Sequence, residues 1–184
     1  MAVPLGLVVC GAPLAARAAD VARALTAENW ALSIGVTEAA AEWIDPATVA
    51  AAAEKSVSVR RRSPGEQRRA SRPNRVVAFP LTFNTANKIA NGIMDNHVTG
   101  TLCDALGTGA PIVATLMVSN RLWTHPAWEG TLAQLQNAGV RFLDPETGML
   151  GSPRPVQSGS GSAIVEGFDP SWVVNAVQSL RPSS

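Results

Sequence analysis

A three-layer α/β/α fold, helices covering both faces of one parallel sheet, is what this sequence predicts, and three observations carry the prediction. Short continuous apolar runs, residues 5–9 first among them, alternate with stretches of helical periodicity, the rhythm of strands buried on both faces. The 184 residues are one domain's worth and enough for one sizeable core, so residues 1–184 are read as a single domain. Hydrophobic residues make up 46% and charged residues 16%, too apolar a mixture for a disordered chain.

Residues 5–9 form the first strand and stop at a Gly-Ala-Pro turn, residues 11–13. Leu14, Ala18, Val21, Ala22 and Leu25 then recur at helical spacing, with Arg17, Asp20 and Arg23 on the opposite side. Residues 31–36 are a second strand closed by Thr37 and Glu38, and Asp45-Pro46 caps the next helix. Between residues 56 and 74 the composition turns to Arg, Ser, Pro and Gln, which reads as a long surface segment. Residues 75–79 are a third strand, residues 84–106 are helical with a break at Gly92, and residues 111–116 are a fourth strand. Pro126 opens a helix through Trp128, Leu132 and Leu135, Gly139 stops it, and residues 140–143 form the fifth strand. After Asp144 comes a Gly-, Ser- and Pro-rich loop of roughly two dozen residues, a length that suggests a lid. Asp169-Pro170 caps a last helix with Val173, Val174, Val177 and Leu180 on one face, before a frayed tail at residues 181–184. Strands joined by helices require right-handed crossovers and put ligands at the carboxyl ends of the strands.

A formal net charge of +1 gives no overall reason to expect nucleic acid or an anionic membrane as partner. Arg60, Arg61, Arg62, Arg68, Arg69, Arg72 and Arg75 are crowded together, but without interleaved aromatics they read as a solvated face. Cys10 and Cys103 have no ligand spacing, which points away from disulfide or metal and toward a reducing cytoplasm. The apolar amino terminus carries no basic leader before Arg17, and no apolar run reaches the ~18 residues of a membrane span. A phosphate-loop lysine, a three-glycine dinucleotide fingerprint, a nucleophile elbow and a metal-binding histidine pair are all lacking. What remains are polar groups where strands end, at residues 11–14, 37–38 and 80–85, each beside a helix start that suits a phosphorylated cofactor.

The third of these segments runs Pro80-Leu81-Thr82-Phe83-Asn84-Thr85-Ala86-Asn87-Lys88-Ile89-Ala90-Asn91-Gly92-Ile93-Met94-Asp95-Asn96. It resembles, without gaps, the signature of the homo-oligomeric flavin-containing cysteine decarboxylases: Pro-Ala-Ser/Thr-Ala-Asn-Thr, two residues, then Lys-Ile-Ala-x-Gly-x-x-Asp-Asn. Thr37-Glu38-Ala39-Ala40 and Trp123-Thr124-His125-Pro126-Ala127 are similar to the family as well, and the resemblance covers nearly the whole chain. It implies a Rossmann-like, flavodoxin-like domain with FMN at the carboxyl edge of the sheet. By position, Gly11, Pro13, Leu14, Thr37, Pro80, Thr82, Asn84 and Met117 fall at the flavin. On the residues alone, Thr82 and Asn84 read as turn and cap groups, and it is the longer motif that turns the reading to cofactor contact.

The resemblance further implies a homo-oligomer, a trimer or a dodecamer, and oxidation of a cysteine to a thioaldehyde that loses CO₂ to an enethiolate. The expected substrate is a peptide or small cysteine compound, foremost the carboxyl-terminal cysteine of a ribosomally made peptide, whose enethiol serves aminovinyl-cysteine formation. The chain departs from the family at two points. The family's histidine base stands fourteen residues before the motif's proline, where this chain has Glu66. Glu66 is either a base whose pKa burial raises or a solvated partner of Arg68 and Arg69. His97, after Asp95-Asn96, is the second catalytic candidate. In Pro-x-Met-Asn-x-x-Met-Trp, aligned on Trp123, Ser119 replaces the asparagine that grips the substrate carboxylate, and Asn120 or Arg121 are the alternatives. Ser158, Gly159 and Ser160 lie where the family keeps a substrate clamp, here a flexible loop around residues 146–167, with residues 163–165 expected to offer a strand edge to an extended peptide. Trp123, Trp128 and His125 read as packing. Three other roles fit the same resemblance: a repurposed FMN-binding flavoprotein, a phosphopantothenoylcysteine decarboxylase-like or flavin prenyltransferase-like enzyme, and a non-enzymatic partner of an active homologue.

Overall fold

The computed structural model describes residues 2–53, 57–58 and 73–180. Among them β1 (Val3–Val9), β2 (Trp30–Val36), β3 (Val57–Ser58), β4 (Val76–Thr82), β5 (Ile112–Met117), β6 (Arg141–Leu143) and β7 (Leu150–Gly151) form one sheet in the order β3-β2-β1-β4-β5-β6-β7. Every neighbouring pair is parallel except β6 and β7. A 3-10 helix (Pro13–Arg17) and α1 (Ala18–Ala27) carry the chain from β1 to β2, and α2 (Glu38–Ala41) and α3 (Pro46–Ala53) follow β2. From β4 the chain moves the other way, through α4 (Phe83–Ala90) and α5 (His97–Thr108) to β5. Between β1 and β4 the direction of winding therefore reverses, which leaves a crevice at their carboxyl ends.

Alternation along the strands divides the core in two. Leu5, Leu7, Val9, Ile34, Val36, Val77 and Phe79 face α1, α8 (Gly161–Gly167) and α9 (Ser171–Gln178). Val8, Cys10, Ala78, Ala114 and Leu116 face α4, α5 and α7 (Trp128–Asn137). Both layers of helices are thus built on residues with essentially no solvent exposure, each large one contributing about 1.5–3 kcal/mol by burial. Among the described residues no helix is long and apolar enough to cross a membrane.

The helix ends follow the sequence closely. Asp45 caps α3 by accepting from the Ala47 amide at 2.9 Å, and Asp169 accepts from the Ser171 amide at 2.8 Å before α9. Gly139 stops α7 at φ +84°, a left-handed backbone that glycine adopts without cost. The break at Gly92, φ +69°, is a joint: Lys88 pairs with Asp95 at 2.5 Å, and Asn96 caps α5 in a reciprocal capping box with Thr99.

Five expectations change. Residues 57–58, inside the stretch read as a long surface segment, form β3 on the edge of the sheet, because Val57 packs against the core. The third strand continues through Thr82, because its register shifts between Ala78 and Leu81 and resumes on β5. The stretch after Asp144 holds β7, a bridge between Ser119 and Val156, and α8. Residues 163–165, expected to offer a strand edge, lie inside α8; that helix satisfies its own backbone and sinks Ile164 into the core. Arg75 leaves the solvated arginine face: its Nη1 donates to the carbonyls of Val177 (3.3 Å) and Leu180 (2.8 Å), capping α9, and its guanidinium lies 5.3 Å from the Trp30 ring centroid. Arg60, Arg61, Arg62, Arg68, Arg69, Arg72 and the tail at residues 181–184 lie outside the described residues.

Arg75→Ala is expected to destabilise the protein by about 1–3 kcal/mol in urea unfolding, through loss of two cap bonds to buried carbonyls. A second expectation concerns Asp144, which anchors the β6–β7 connection. Burial alone would raise its carboxyl, but bonds from Arg154 and from the Glu146 and Thr147 amides outweigh burial and hold it below the ordinary value of 3.8. A lowered folded pKa stabilises fully above the unfolded value and less as pH falls through the folded one. Asp144→Asn should therefore cost about 1 kcal/mol at pH 7, with the gap to wild type closing below about pH 4 in denaturation curves.

Candidate functional site at the carboxyl edge of the sheet

With the strands buried on both faces, polar groups gather in the loops at their ends, and the candidate site lies at the carboxyl edge. There Gly11 brings the β1 loop against α2: a Cβ at this position would stand 2.7 Å from the carbonyl carbon and oxygen of Ala39. Thr37 donates its amide to the Val9 carbonyl at 2.9 Å and caps α2 by accepting from the Ala40 amide at 3.1 Å. Thr82 caps α4, accepting from the Thr85 amide at 3.5 Å, and its hydroxyl reaches the Thr85 hydroxyl at 3.3 Å. Cys10 donates its amide to the Pro80 carbonyl at 3.2 Å, tying the β1 end to the β4 end.

Gly11, Pro13, Thr37, Thr82 and Asn84 are thus brought together around the crevice, Asn84 exposed and the others half-buried. The side chains of Leu14 and Pro80 are buried, so these two face the edge through their backbone only. Neither the β1 loop, residues 11–14, nor the β4 loop, residues 80–85, carries an acidic group; the polar groups there are hydroxyls, an amide side chain and the amides of α4's first turn. Such a lining fits a phosphate-bearing flavin.

One strand further on, Met117 is half-buried against the core, and Ser119 stands before α6 (Asn120–Trp123) with no side-chain cap bond. Arg121 is exposed. Asn120 reaches across to the segment after Val156: its Oδ1 accepts from the Ser158 amide at 3.1 Å and its Nδ2 donates to Gln157 Oε1 at 3.3 Å. From there the chain turns at Gly159, φ +90°, and Ser160 closes the turn with its amide and hydroxyl on the Gln157 carbonyl, at 3.0 and 2.8 Å. It then meets the β1 side, where a Cβ on Gly161 would stand 2.8 Å from Pro13 Cγ and Arg17 Nη1 donates to the Val165 carbonyl at 2.7 Å. Because β4 lies between β1 and β5, residues 157–161 form a strap across the end of β4.

His97 begins α5 and lies against Gly35 near the carboxyl end of β2, its Cδ2 2.8 Å from where a Cβ on Gly35 would be. Glu66 lies outside the described residues. Trp123, Trp128 and His125 pack as the sequence reads, but the Arg17–Val165 fastening and the place of Phe83 in a ring cluster behind α4 were missed. In that cluster Phe83 sits 5.1 Å from Trp128 and 5.4 Å from His125, while Trp123 sits 5.5 Å from Trp128. The visible signal for the second was Phe83 itself, a large ring where the signature has alanine.

The comparisons with known proteins agree with this architecture. Residues 2–166 match the Flavoprotein family model, and the chain belongs to that family. The coenzyme A biosynthesis bifunctional protein CoaBC of Bacillus subtilis is 32% identical over 75 residues, 41% of this chain and 18% of that protein. The chain therefore matches less than a fifth of the length of this curated relative. The crystal structure of the FMN-dependent cysteine decarboxylase SpaF shares the fold at a TM-score of 0.67 and 24% identity, over 90% of this chain and 97% of that one. The FMN-binding protein AtHal3 does so at a TM-score of 0.72 and 19% identity, over 98% and 100%.

Cys10 sits beneath the crevice. Burial pushes its thiol up to about 11, against the lowering influence of hydrogen bonds from Thr85 and from the amide and hydroxyl of Thr82. At pH 8 only about a thousandth of it is thiolate, so it is inert. Ellman titration of the folded protein at pH 8 is expected to consume Cys103, which is partly exposed, and to reach Cys10 only after denaturation.

Proposed function

We propose that this protein is an FMN-dependent oxidative decarboxylase acting on the carboxyl-terminal cysteine of a ribosomally made peptide, releasing an enethiol. The observation that carries the reading is the strap of residues 157–161, which runs along the carboxyl edge between the Ser119 loop and the β1 loop at Pro13. A ligand held there is covered by chain on one side and by α4's first turn on the other.

When bound, FMN supplies the two-electron oxidant. The backbone around Gly11, Pro13, Leu14 and Pro80, with the polar groups of Thr37, Thr82 and Asn84, holds it at the crevice, and Met117 lies alongside. Ser119 and Arg121 receive the substrate's carboxylate, the guanidinium by a bidentate pair, and Ser158, Gly159 and Ser160 cover the peptide. Glu66 stands as the base at the position of the family histidine, with His97 beside the β2 end as the second titratable group. A peptide substrate is favoured because Glu66 and Ser119 replace the two residues expected of a housekeeping enzyme. The same two replacements favour, as a second reading, a flavoprotein repurposed for another redox or non-catalytic role. Exposed Trp43, Ile93, Met94 and Leu122 supply apolar surface for the homo-oligomer, trimer or dodecamer, that completes the reading, with the cytoplasm as its compartment.

The test joins the visible spectrum of the purified protein to mass spectrometry of cysteine-ended peptides incubated with it. A two-band oxidised-flavin spectrum with loss of CO₂ and two hydrogens from the peptide is the expected result. Flavin without that loss moves the assignment to the repurposed reading. Gly11→Ala, which drives a methyl into the Ala39 backbone, is expected to lower flavin retention about tenfold or more while far-ultraviolet circular dichroism stays native.

A further inference from the structure

Both ends of the strap are rooted in the core, Val156 at 6% exposed on the β5 side and Ile164 beyond Gly161 on the β1 side, and the tie on the segment between them is of a different kind. At the β1 side the anchor is packing and backbone: Gly161 rests on Pro13, Ile164 is 4% exposed in the core, and Arg17 holds the Val165 carbonyl. At the β5 side the bridge between Ser119 and Val156 consists of two backbone bonds, Val156 amide to Val118 carbonyl (3.0 Å) and Asn120 amide to Val156 carbonyl (2.9 Å). Beyond Val156 the side-chain fastening to this loop is the Asn120 carboxamide, with one bond to the Ser158 amide and one to the Gln157 side chain, both solvent-exposed. The Ser158 amide can only donate, so the Asn120 oxygen faces it and the nitrogen is left for Gln157 Oε1. Exposed neutral bonds of this kind are weak singly, so residues 157–160 open more readily than the buried anchors on either side of them.

We propose that Asn120 is a positioning residue, the latch of the strap: its carboxamide holds residues 157–160 beside Ser119 and does not itself grip the substrate. Loop and strap then move together, so that the segment reading a peptide's carboxyl end and the segment covering it close as one. The turn at Gly159, tied by Ser160 to the Gln157 carbonyl, lifts between the Val156 and α8 anchors when the latch releases. What lies beneath the strap rests on the decarboxylase reading; the latch rests on the contacts of this chain alone.

Hydrogen exchange of the full-length, FMN-supplemented protein tests it, compared among wild type, Asn120→Ala and Asn120→Asp, with binding of a synthetic cysteine-ended peptide measured on each. Exchange at residues 157–160 should rise about tenfold in Asn120→Ala. Residues 161–167 and α5 should stay as in wild type, and peptide affinity should fall while flavin is retained. Asn120→Asp keeps an acceptor for Ser158, and Gln157 can turn its amide to donate, so both protection and affinity should return toward wild type. Wild-type exchange in Asn120→Ala would overturn the latch. So would an Asn120→Asp protein that stays protected yet loses the peptide, since a carboxylate repelling a carboxylate marks direct contact with substrate. If wild type takes up no cysteine-ended peptide, the decarboxylase reading falls, and the exchange comparison still decides the latch.

Discussion

Burial of the central strands on both faces is the constraint on which the rest of this structure depends. β1 and β4 pair in the middle of the sheet, with apolar side chains filling a helical layer above and another below. No polar group can be accommodated along their length without a partner, so polar chemistry is driven to their ends. The chain leaves β1 and β4 in opposite directions, and the loops at those ends part around a crevice instead of packing over it. Gly11 and the Cys10–Pro80 contact then set how closely the loops approach.

The seventeen-residue signature divides into two jobs under that constraint. Its first residues, through Thr85, sit at the edge and present hydroxyls and amides to the crevice. The rest builds the joint between α4 and α5, with Lys88 on Asp95, Gly92 in the left-handed turn and Asn96 capping. Asn87 adds a brace, its Nδ2 donating to the Phe83 carbonyl at 2.8 Å and its Oδ1 accepting from the buried Thr131 hydroxyl at 2.6 Å. A motif that reads as a binding signature is thus in good part a device for aiming α4's first turn at the sheet's edge. The placement of Phe83 fits this division: its ring turns back onto Trp128 and His125, while the adjacent Asn84 is exposed at the edge.

The strap adds a second level of organisation. It joins the end of β5 to the end of β1 over β4, so three strand ends that are distant in sequence answer to one short segment. Its buried anchors, Val156 and Ile164, and the exposed Asn120 fastening between them differ in strength for the ordinary reason that packing excludes water and an exposed amide pair does not. That contrast gives the strap fixed ends and a yielding middle.

Apolar runs, helical periodicity and caps were enough to locate the five longer strands, most helices and the parallel character of the sheet, because burial on both faces and right-handed crossovers leave few alternatives, whereas the two-residue strands β3 and β7 carry no such pattern. The gathering of Gly11, Thr37, Thr82 and Asn84 at one edge was legible for the same reason, since each stands where a strand ends. The sequence alone did not reveal the helical state of residues 163–165, the passage of Arg75 from a basic run into the α9 cap, or the reach of Asn120 to Ser158. Local composition reads residues 146–167 as loop, whereas Ile164 lies in the core shared with α1 and α9, and Arg17 holds the Val165 carbonyl across 148 residues of sequence. Periodicity reports which face of an element is buried. It carries no information on bonds between a side chain and backbone groups 38 or 102 residues away, and those are decided by tertiary structure, where the packed layers bring the partners within bonding distance.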